Sequence, residues 1–270
     1  MNLAFSSFGS GPPLVLIHGL FGSGDNLRGI GRSFESQYTV YYPDLPNHGD
    51  SPHTDSTGWS LLSAAIAALL EQQSATPAIV AGHSMGGKVA MRLALDRPDL
   101  VTALVILDMA PRPYDPSHRQ IIDAMLELPT GEVENRADAD RRLSEAIPSR
   151  PVRSFLLKNL VKDGEGYRWR LNLPLIEREY ATILGWEGSG TYDGPALFIG
   201  GSDSKYVKPA RDTELIRGYF PSAEIEMIDG VGHWIHSERP DEVERLVRQF
   251  LSECASGGEA GAGARRGESR

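Results

Sequence analysis

Ser84 is the side chain best placed for nucleophilic chemistry, because it stands at the centre of a Gly-x-Ser-x-Gly pentad, residues 82–86. The apolar run 77–81 before the pentad has the length of a strand, and apolar residues recur at helical spacing after it. We therefore expect a strand, a sharp turn and a helix, with Ser84 at the turn, where strained backbone angles lift its hydroxyl clear of the sheet. Gly82 and Gly86 fit this turn because they face each other across it, and a Cβ on either would clash.

A serine at its ordinary pKa is a poor nucleophile, so Ser84 needs a base that takes its proton near neutral pH. Histidine is the side chain that titrates there, and His233 stands in the loop after the last predicted strand, residues 223–228. An imidazole base in turn needs a carboxylate to fix its tautomer, and Asp108 and Asp203 each follow a predicted buried strand. The chain order serine, acid, histidine predicts a triad of Ser84, either aspartate and His233.

A second glycine-rich loop, residues 18–22, follows the buried-type run 14–17. Such a loop presents a backbone N–H to a developing oxyanion, so we expect Leu20 or Phe21 to donate there beside the N–H of Met85. The alternative is an ordinary loop in which His18 braces the backbone.

Two residues adjoin the proposed nucleophile and base in the chain, and we take both, His83 and Trp234, as candidate substrate-binding residues. We expect no metal site, because no ligand-spaced pairing with cysteine or glutamate is found for the histidines His48, His53, His83, His233 and His236.

The elements that must hold these loops alternate between strand and helix patterns up to residue 110 and again from residue 193. This alternation predicts an α/β protein with a mostly parallel sheet flanked by helices. Residues 111–192 break the rhythm with helical patches, which we interpret as a helical cap inserted between two strands of a core formed by 1–110 and 193–252. Residues 253–270 contain no large apolar side chain, and we expect them to be disordered.

The bulk composition favours a soluble protein with a small-molecule partner. A net charge of -9 disfavours nucleic acids and anionic membrane surfaces. The single cysteine, Cys254, leaves no disulfide framework and fits a reducing compartment. Residues 1–11 lack the features of a secretory signal, and no apolar run approaches the roughly 20 residues of a membrane span. We therefore expect a cytoplasmic location, and nothing in the sequence indicates an oligomeric state.

Six blocks of the sequence carry a family resemblance: residues 18–23, 47–49, 82–88, 108–111, 155–160 and 232–236. With these blocks the sequence resembles the α/β-hydrolase fold esterases and, among them, is similar to the bacterial YbfF-type esterases and their mitochondrial relatives. The resemblance implies an α/β-hydrolase fold and hydrolysis of short to medium acyl esters, or acyl thioesters, through an acyl-enzyme on Ser84 and without a cofactor. One departure is Pro46, where these relatives usually have Arg.

The resemblance also bears on the acid of the triad. Most α/β-hydrolases carry it after the strand predicted to end at Ile199, which would select Asp203. YbfF-type relatives use the preceding strand, which selects Asp108. We favour Asp108 because the block 108–111 matches the narrower family, and we keep Asp203 as the alternative.

Other functions share these residues. The same triad supports perhydrolysis, hydrolysis of C–C bonds and elimination, so fold and triad do not fix the substrate. Haloalkane dehalogenase chemistry is excluded because it needs a carboxylate in the place of Ser84. A binding protein that keeps a hydrolase-like pocket without activity is the alternative from a different class.

Overall fold

A central sheet organises the computed structural model, which describes the backbone of residues 1–263 and the side chains of residues 1–256. The strands in this part of the chain are β1 (Phe5–Phe8), β2 (Pro13–Ile17), β3 (Thr39–Pro43), β4 (Ala78–His83), β5 (Val101–Leu107), β6 (Leu160–Asp163), β7 (Gly166–Trp169), β8 (Ala196–Gly201) and β9 (Ala223–Ile228). Seven of them form the sheet in the order β1-β3-β2-β4-β5-β8-β9. Only β1 pairs antiparallel within it. The predicted mostly parallel sheet is confirmed.

Helices cover both faces of the sheet. Those in residues 1–263 are α1 (Arg28–Gly31), α2 (Trp59–Gln72), α3 (Met85–Asp96), α4 (Arg119–Glu127), α5 (Arg136–Leu143), α6 (Arg150–Leu156), α7 (Leu173–Arg178), α8 (Tyr180–Leu184), α9 (Pro209–Tyr219), α10 (Ile235–Glu238) and α11 (Pro240–Gly263). Alternate side chains of β4 belong to two cores: Ala78 and Val80 to one, Ile79 and Ala81 to the other. Burial on both faces explains why the central strands are continuous apolar runs.

The segment between β5 and β8 contains α4 to α8 and also a two-stranded hairpin, β6 with β7. One of the helical patches in this segment covers residues 151–161 of the sequence, but α6 stops at Leu156 and β6 begins at Leu160, so the helical prediction is wrong at its end. Asp163 pairs with Gly166, and Gly164 between them has a φ of 59°. A turn of two residues with a left-handed glycine closes a hairpin, and this local geometry outweighs the helical spacing before it.

The last helix extends further than the sequence indicated. We expected the folded part to end at residue 252 and a disordered tail to follow; α11 continues to Gly263, and 264–270 lie outside the described residues. Adding a residue to an existing helix is far easier than starting one, and Cys254 still packs against the second core. No helix among the described residues is both long enough and apolar enough to cross a membrane.

Strand register brings the carboxyl ends of four strands to one edge of the sheet. His83 pairs with Leu107, and Leu107 pairs with Ile199. The final residues of β8 and β9, Gly201 and Ile228, pair with each other. The loops that leave these strands therefore start side by side, and ligands of parallel sheets bind at such edges.

Candidate active site

Ser84 occupies a strained turn between β4 and α3. Its φ of 55° and ψ of -122° lie in a region that side chains rarely adopt, and Ser84 precedes the first residue of α3, Met85. A Cβ on Gly82 would lie 2.2 Å from the carbonyl oxygen of Gly86, and one on Gly86 would lie 2.2 Å from the carbonyl oxygen of Ile17. Gly82 therefore faces Gly86 across the turn, as predicted, whereas Gly86 itself is required by the close approach of β2.

His233 contacts Asp108. The distance from His233 Nδ1 to Asp108 Oδ2 is 2.6 Å, and the Asp108 side chain is fully buried. Gly201 donates its N–H to Asp108 Oδ1 at 3.1 Å, and the Ser204 hydroxyl donates to Oδ2. The backbone of Asp108 is itself left-handed, with a φ of 51°, and its N–H donates to the Ile199 carbonyl at 2.7 Å.

Asp203, the alternative acid, lies elsewhere. Its side chain is exposed, and its carboxylate accepts a hydrogen bond from the Ser202 hydroxyl at 3.3 Å. Its N–H donates to the Val231 carbonyl at 3.0 Å. Of the two aspartates it is Asp108, at the end of β5, that the structure brings to His233.

Burial shifts the pKa values of both His233 and Asp108 in the direction that favours the uncharged form. Burial lowers the pKa of His233, and the nearby His118 lowers it further, so the imidazole is neutral and able to accept a proton at neutral pH. Burial raises the pKa of Asp108, whereas the hydrogen bonds from Ser204 and Gly201 lower it. The carboxylate at 2.6 Å is thus the group that stabilises an imidazolium on His233 when one forms.

The loop after β2 lies beside the nucleophile. A Cβ on Gly19 would lie 3.1 Å from Ser84 Cβ. His18 Nδ1 donates to the Gly19 carbonyl at 2.8 Å, and His18 Nε2 accepts from the Leu45 N–H at 2.9 Å. His18 therefore braces the backbone, and this role is compatible with an oxyanion-binding loop. Burial lowers the pKa of His18 to about 4, which keeps this neutral arrangement.

A side chain from the inserted segment holds the same loop from the other side. Asn159 Nδ2 donates to the Phe21 carbonyl at 2.7 Å in a fully buried contact. Phe21 has a φ of 61°, so the hydrogen bond fixes a strained residue of the loop.

Ser84 borders two cavities of unequal size. The larger cavity measures about 340 Å³, and its walls include His233 and Trp234. The smaller cavity measures about 30 Å³, and its walls include Met85, Met109 and Tyr206. The inserted segment contributes to both cavities, through Phe155 and neighbours in the larger one and Ile183 and neighbours in the smaller.

The two candidate substrate-binding residues both border the larger cavity. Trp234 is half-buried, and its ring lies 6.2 Å from that of Phe155. His83 is buried, and its Nε2 donates to the His233 carbonyl at 2.9 Å. His83 therefore also positions the loop that carries His233.

Lys88, one turn after Ser84, joins α3 to the inserted segment. It is buried, and its Nζ donates to the carbonyls of Leu184 at 2.9 Å and Gly185 at 2.5 Å, at the end of α8. Burial lowers the pKa of Lys88 to about 7. By contacting the carbonyls at the end of α8, Lys88 links α3 to the inserted segment, a role that the sequence alone did not reveal.

Sequence reasoning also missed Ser204, Tyr206 and His118, which surround the His233–Asp108 pair. Ser204 binds Asp108, Tyr206 stacks on His233, and His118 borders both cavities. All three lie in irregular segments without a motif, so only tertiary structure identifies them.

The chain is similar to known hydrolases over most of its length. The family model described as alpha/beta hydrolase fold matches residues 12–240. The chain is 36% identical to the esterase YbfF of Escherichia coli, over 89% of this chain and 93% of that protein. It is 38% identical to the sn-1-specific diacylglycerol lipase ABHD11 of Mus musculus, over 89% and 81%. A solved marine microorganism esterase superimposes with a TM-score of 0.89 at 34% identity, covering 92% of this chain and 98% of that one.

Proposed function

As a member of the alpha/beta hydrolase fold family the chain is a serine ester hydrolase, and we propose that Ser84, His233 and Asp108 form its catalytic triad. The observation that carries the assignment is the 2.6 Å contact between His233 and Asp108 at the cavity that Ser84 borders. The resemblance to YbfF-type esterases, predicted from short sequence blocks, is confirmed by identity over most of both chains.

In the first half of the reaction Ser84 attacks the acyl carbon of the ester. His233 takes the hydroxyl proton on Nε2, while Asp108 holds its Nδ1–H and offsets the positive charge of the ring. The N–H of Met85, in the first turn of α3, has no partner within its helix and receives the oxyanion. We assign the second donor to Leu20 rather than Phe21, because Leu20 borders both cavities together with Ser84.

In the second half the acyl group is released. His233 first gives its proton to the departing alcohol, and the C–O bond of the ester breaks. A water molecule then enters, His233 takes a proton from it, and the resulting attack frees the acid and restores Ser84. Each oxyanion donor contributes about 2.7 to 4 kcal/mol to lowering the barrier.

Of the expected short to medium acyl chains, the cavities support a short one, carried as an ester or an acyl thioester. We assign residues 111–192 to a cap, because this segment provides one wall of the larger cavity. The smaller cavity has room for about two water-sized groups beside Ser84. A cytoplasmic location is part of the proposal and rests on the single cysteine of the sequence.

Labelling with a fluorophosphonate probe tests the assignment of the nucleophile. The purified protein should react at Ser84 and hydrolyse p-nitrophenyl acetate, and Ser84→Ala should lose both the label and the turnover. Peptide mapping locates the modified residue. A label on another serine, or turnover that survives in Ser84→Ala, would overturn the proposed triad.

A further inference from the structure

His118 is the polar side chain that the two cavities share with the nucleophile. The residues common to both linings are Leu20, Ser84 and His118. Leu20 and Ser84 belong to the loops of the sheet edge, whereas His118 comes from the inserted segment and precedes α4. A substrate carbon bound to Ser84 at the meeting point of the cavities is therefore next to the His118 ring.

The partners of His118 favour one tautomer of its ring. The backbone N–H of His118 donates to the Tyr180 hydroxyl oxygen at 2.8 Å, and that same hydroxyl lies 3.1 Å from His118 Nδ1. Although a hydroxyl oxygen can accept twice, no other acceptor for the Tyr180 proton is found among the described residues, so the arrangement that uses each group has Tyr180 donate this proton to Nδ1. Nδ1 is then an acceptor, and the hydrogen of the neutral ring is on Nε2.

The ring is held in place and kept neutral. It lies edge-on to Phe21 and to the buried Tyr180, with ring centroids 6.0 and 6.3 Å away. Burial lowers the pKa of His118, which favours the neutral imidazole. With Nδ1 directed at Tyr180, the nitrogen at the tip of the side chain is the one available to a molecule in the cavities.

The position of His233, the general base, indicates which part of a substrate lies near His118 Nε2. His233 borders the larger cavity but is not part of the lining of the smaller one. Because His233 must protonate the departing alcohol, the alcohol portion extends into the larger cavity, and the acyl chain enters the smaller. His118 also borders this larger cavity, so its ring faces the alcohol portion as well as the scissile bond.

We propose that His118 is a substrate-binding residue whose Nε2–H donates a hydrogen bond to a second oxygen of the alcohol portion, close to the scissile bond. The preferred substrates are then short-chain monoesters of 1,2-diols and their ethers, rather than plain alkyl esters. This inference rests on the proposed triad, since it takes its orientation from Ser84 and His233.

Pairs of esters that differ in one atom test the inference on the wild-type protein. 2-Hydroxyethyl acetate is compared with propyl acetate, and 2-methoxyethyl acetate with butyl acetate. Each kcat/KM is divided by the rate constant of the ester's hydrolysis by hydroxide, which removes intrinsic reactivity. One neutral hydrogen bond predicts a roughly 3- to 10-fold preference for the oxygen-bearing member of both pairs. The methoxy compound has no donor of its own, so its preference identifies the enzyme as the donor.

Three variants assign the preference to His118. His118→Phe should reduce both ratios to near 1, whereas His118→Gln, which can place an amide N–H close to the position of Nε2, should keep part of it. Tyr180→Phe removes the hydroxyl that favours one tautomer of His118 but keeps the imidazole ring, so it should lower the ratios by a smaller factor. Equal rates for both members of each pair in the wild type, or ratios unchanged in His118→Phe, would reject the inference. Labelling of Ser84 is independent of these ratios and shows whether the triad itself has failed.

Discussion

The ring of Tyr206 stacks on the imidazole of His233, with centroids 3.8 Å apart and planes inclined by 19°. The Tyr206 N–H also donates to Ser204 Oγ at 3.1 Å, and this hydroxyl binds Asp108. A short segment after β8 therefore touches the base through a ring and the acid through a hydroxyl. The segment sets the plane of the imidazole as well as the position of the carboxylate that holds it.

Removing the ring of Tyr206 should slow the reaction. Tyr206→Ala should lower kcat for p-nitrophenyl acetate by about 10- to 100-fold, because a catalytic group displaced by 1 Å has an effect of this order. Tyr206→Phe keeps the stacked ring and the backbone hydrogen bonds and should stay within about 3-fold of the wild type. Steady-state kinetics on the two variants make the test. If both lose activity equally, the hydroxyl rather than the ring is what matters.

The two aspartates should differ sharply when each is replaced by its amide. Asp108→Asn should lower kcat by about four orders of magnitude, because an amide N–H facing Nδ1 would hold His233 in the tautomer that cannot accept the serine proton on Nε2. Asp203→Asn should change kcat less than about 2-fold, because Asp203 is exposed and its carboxylate does not contact His233. Turnover of p-nitrophenyl acetate, with circular dichroism to verify folding, distinguishes them. The reverse ranking would show that the acid comes from β8.

Stability should fall on mild acidification because several histidines are buried in the neutral form. Burial lowers the pKa of His48 and His83 to about 3 and that of His18 to about 4, below their value of 6.5 in an unfolded chain. The unfolded state therefore binds protons first, and the free energy of unfolding decreases as pH falls below 6.5. Each residue contributes about 1.4 kcal/mol per pH unit between pH 6 and its native pKa.

Urea denaturation at pH 8, 7, 6 and 5 measures this slope. His48→Gln removes one titrating group, so the number of protons taken up on unfolding, which sets this slope, should fall by about one. A free energy of unfolding that stays constant between pH 7 and 5 would contradict the neutral burial of these rings.

Asn159→Leu should impair both stability and catalysis. The substitution keeps the shape of the side chain but leaves the buried Phe21 carbonyl without its donor, which lowers the free energy of unfolding by about 1 to 3 kcal/mol. The loop that carries Leu20 is then less well fixed, so kcat should fall while KM changes little. Lys162→Ala, on the exposed surface of the same segment, is the control. A stability loss without any change in kcat would limit Asn159 to holding the inserted segment.

The turn at Ser84 was predictable because its geometry is largely local. A Cβ on Gly82 would meet the Gly86 carbonyl across the turn, and this restriction is visible in the sequence as part of the pentad, whereas Gly86 is also required by the close approach of β2. The buried strands were predictable because they are continuous apolar runs, and β9 has the bounds expected from the sequence.

The acid and the walls of the cavities depend on contacts between distant parts of the chain. Asp108 and Asp203 both follow a buried strand, and only the position of His233 separates them. His118 obtains its role from Tyr180, which is 62 residues away, so no local pattern marks it. The hairpin β6–β7 was missed because a left-handed glycine overrides a helical spacing that looked continuous.

The hydrogen bond from Asn159 to Phe21 has a consequence for protein engineering. The oxyanion loop follows a strand of the sheet, but the side chain that donates to its Phe21 carbonyl, Asn159, belongs to the inserted segment. The two parts therefore cannot be exchanged independently. A chimera that receives a foreign insertion in place of residues 111–192 must bring an amide to the same carbonyl. Without one, a correctly folded graft would still leave an unpaired oxygen beside the nucleophile.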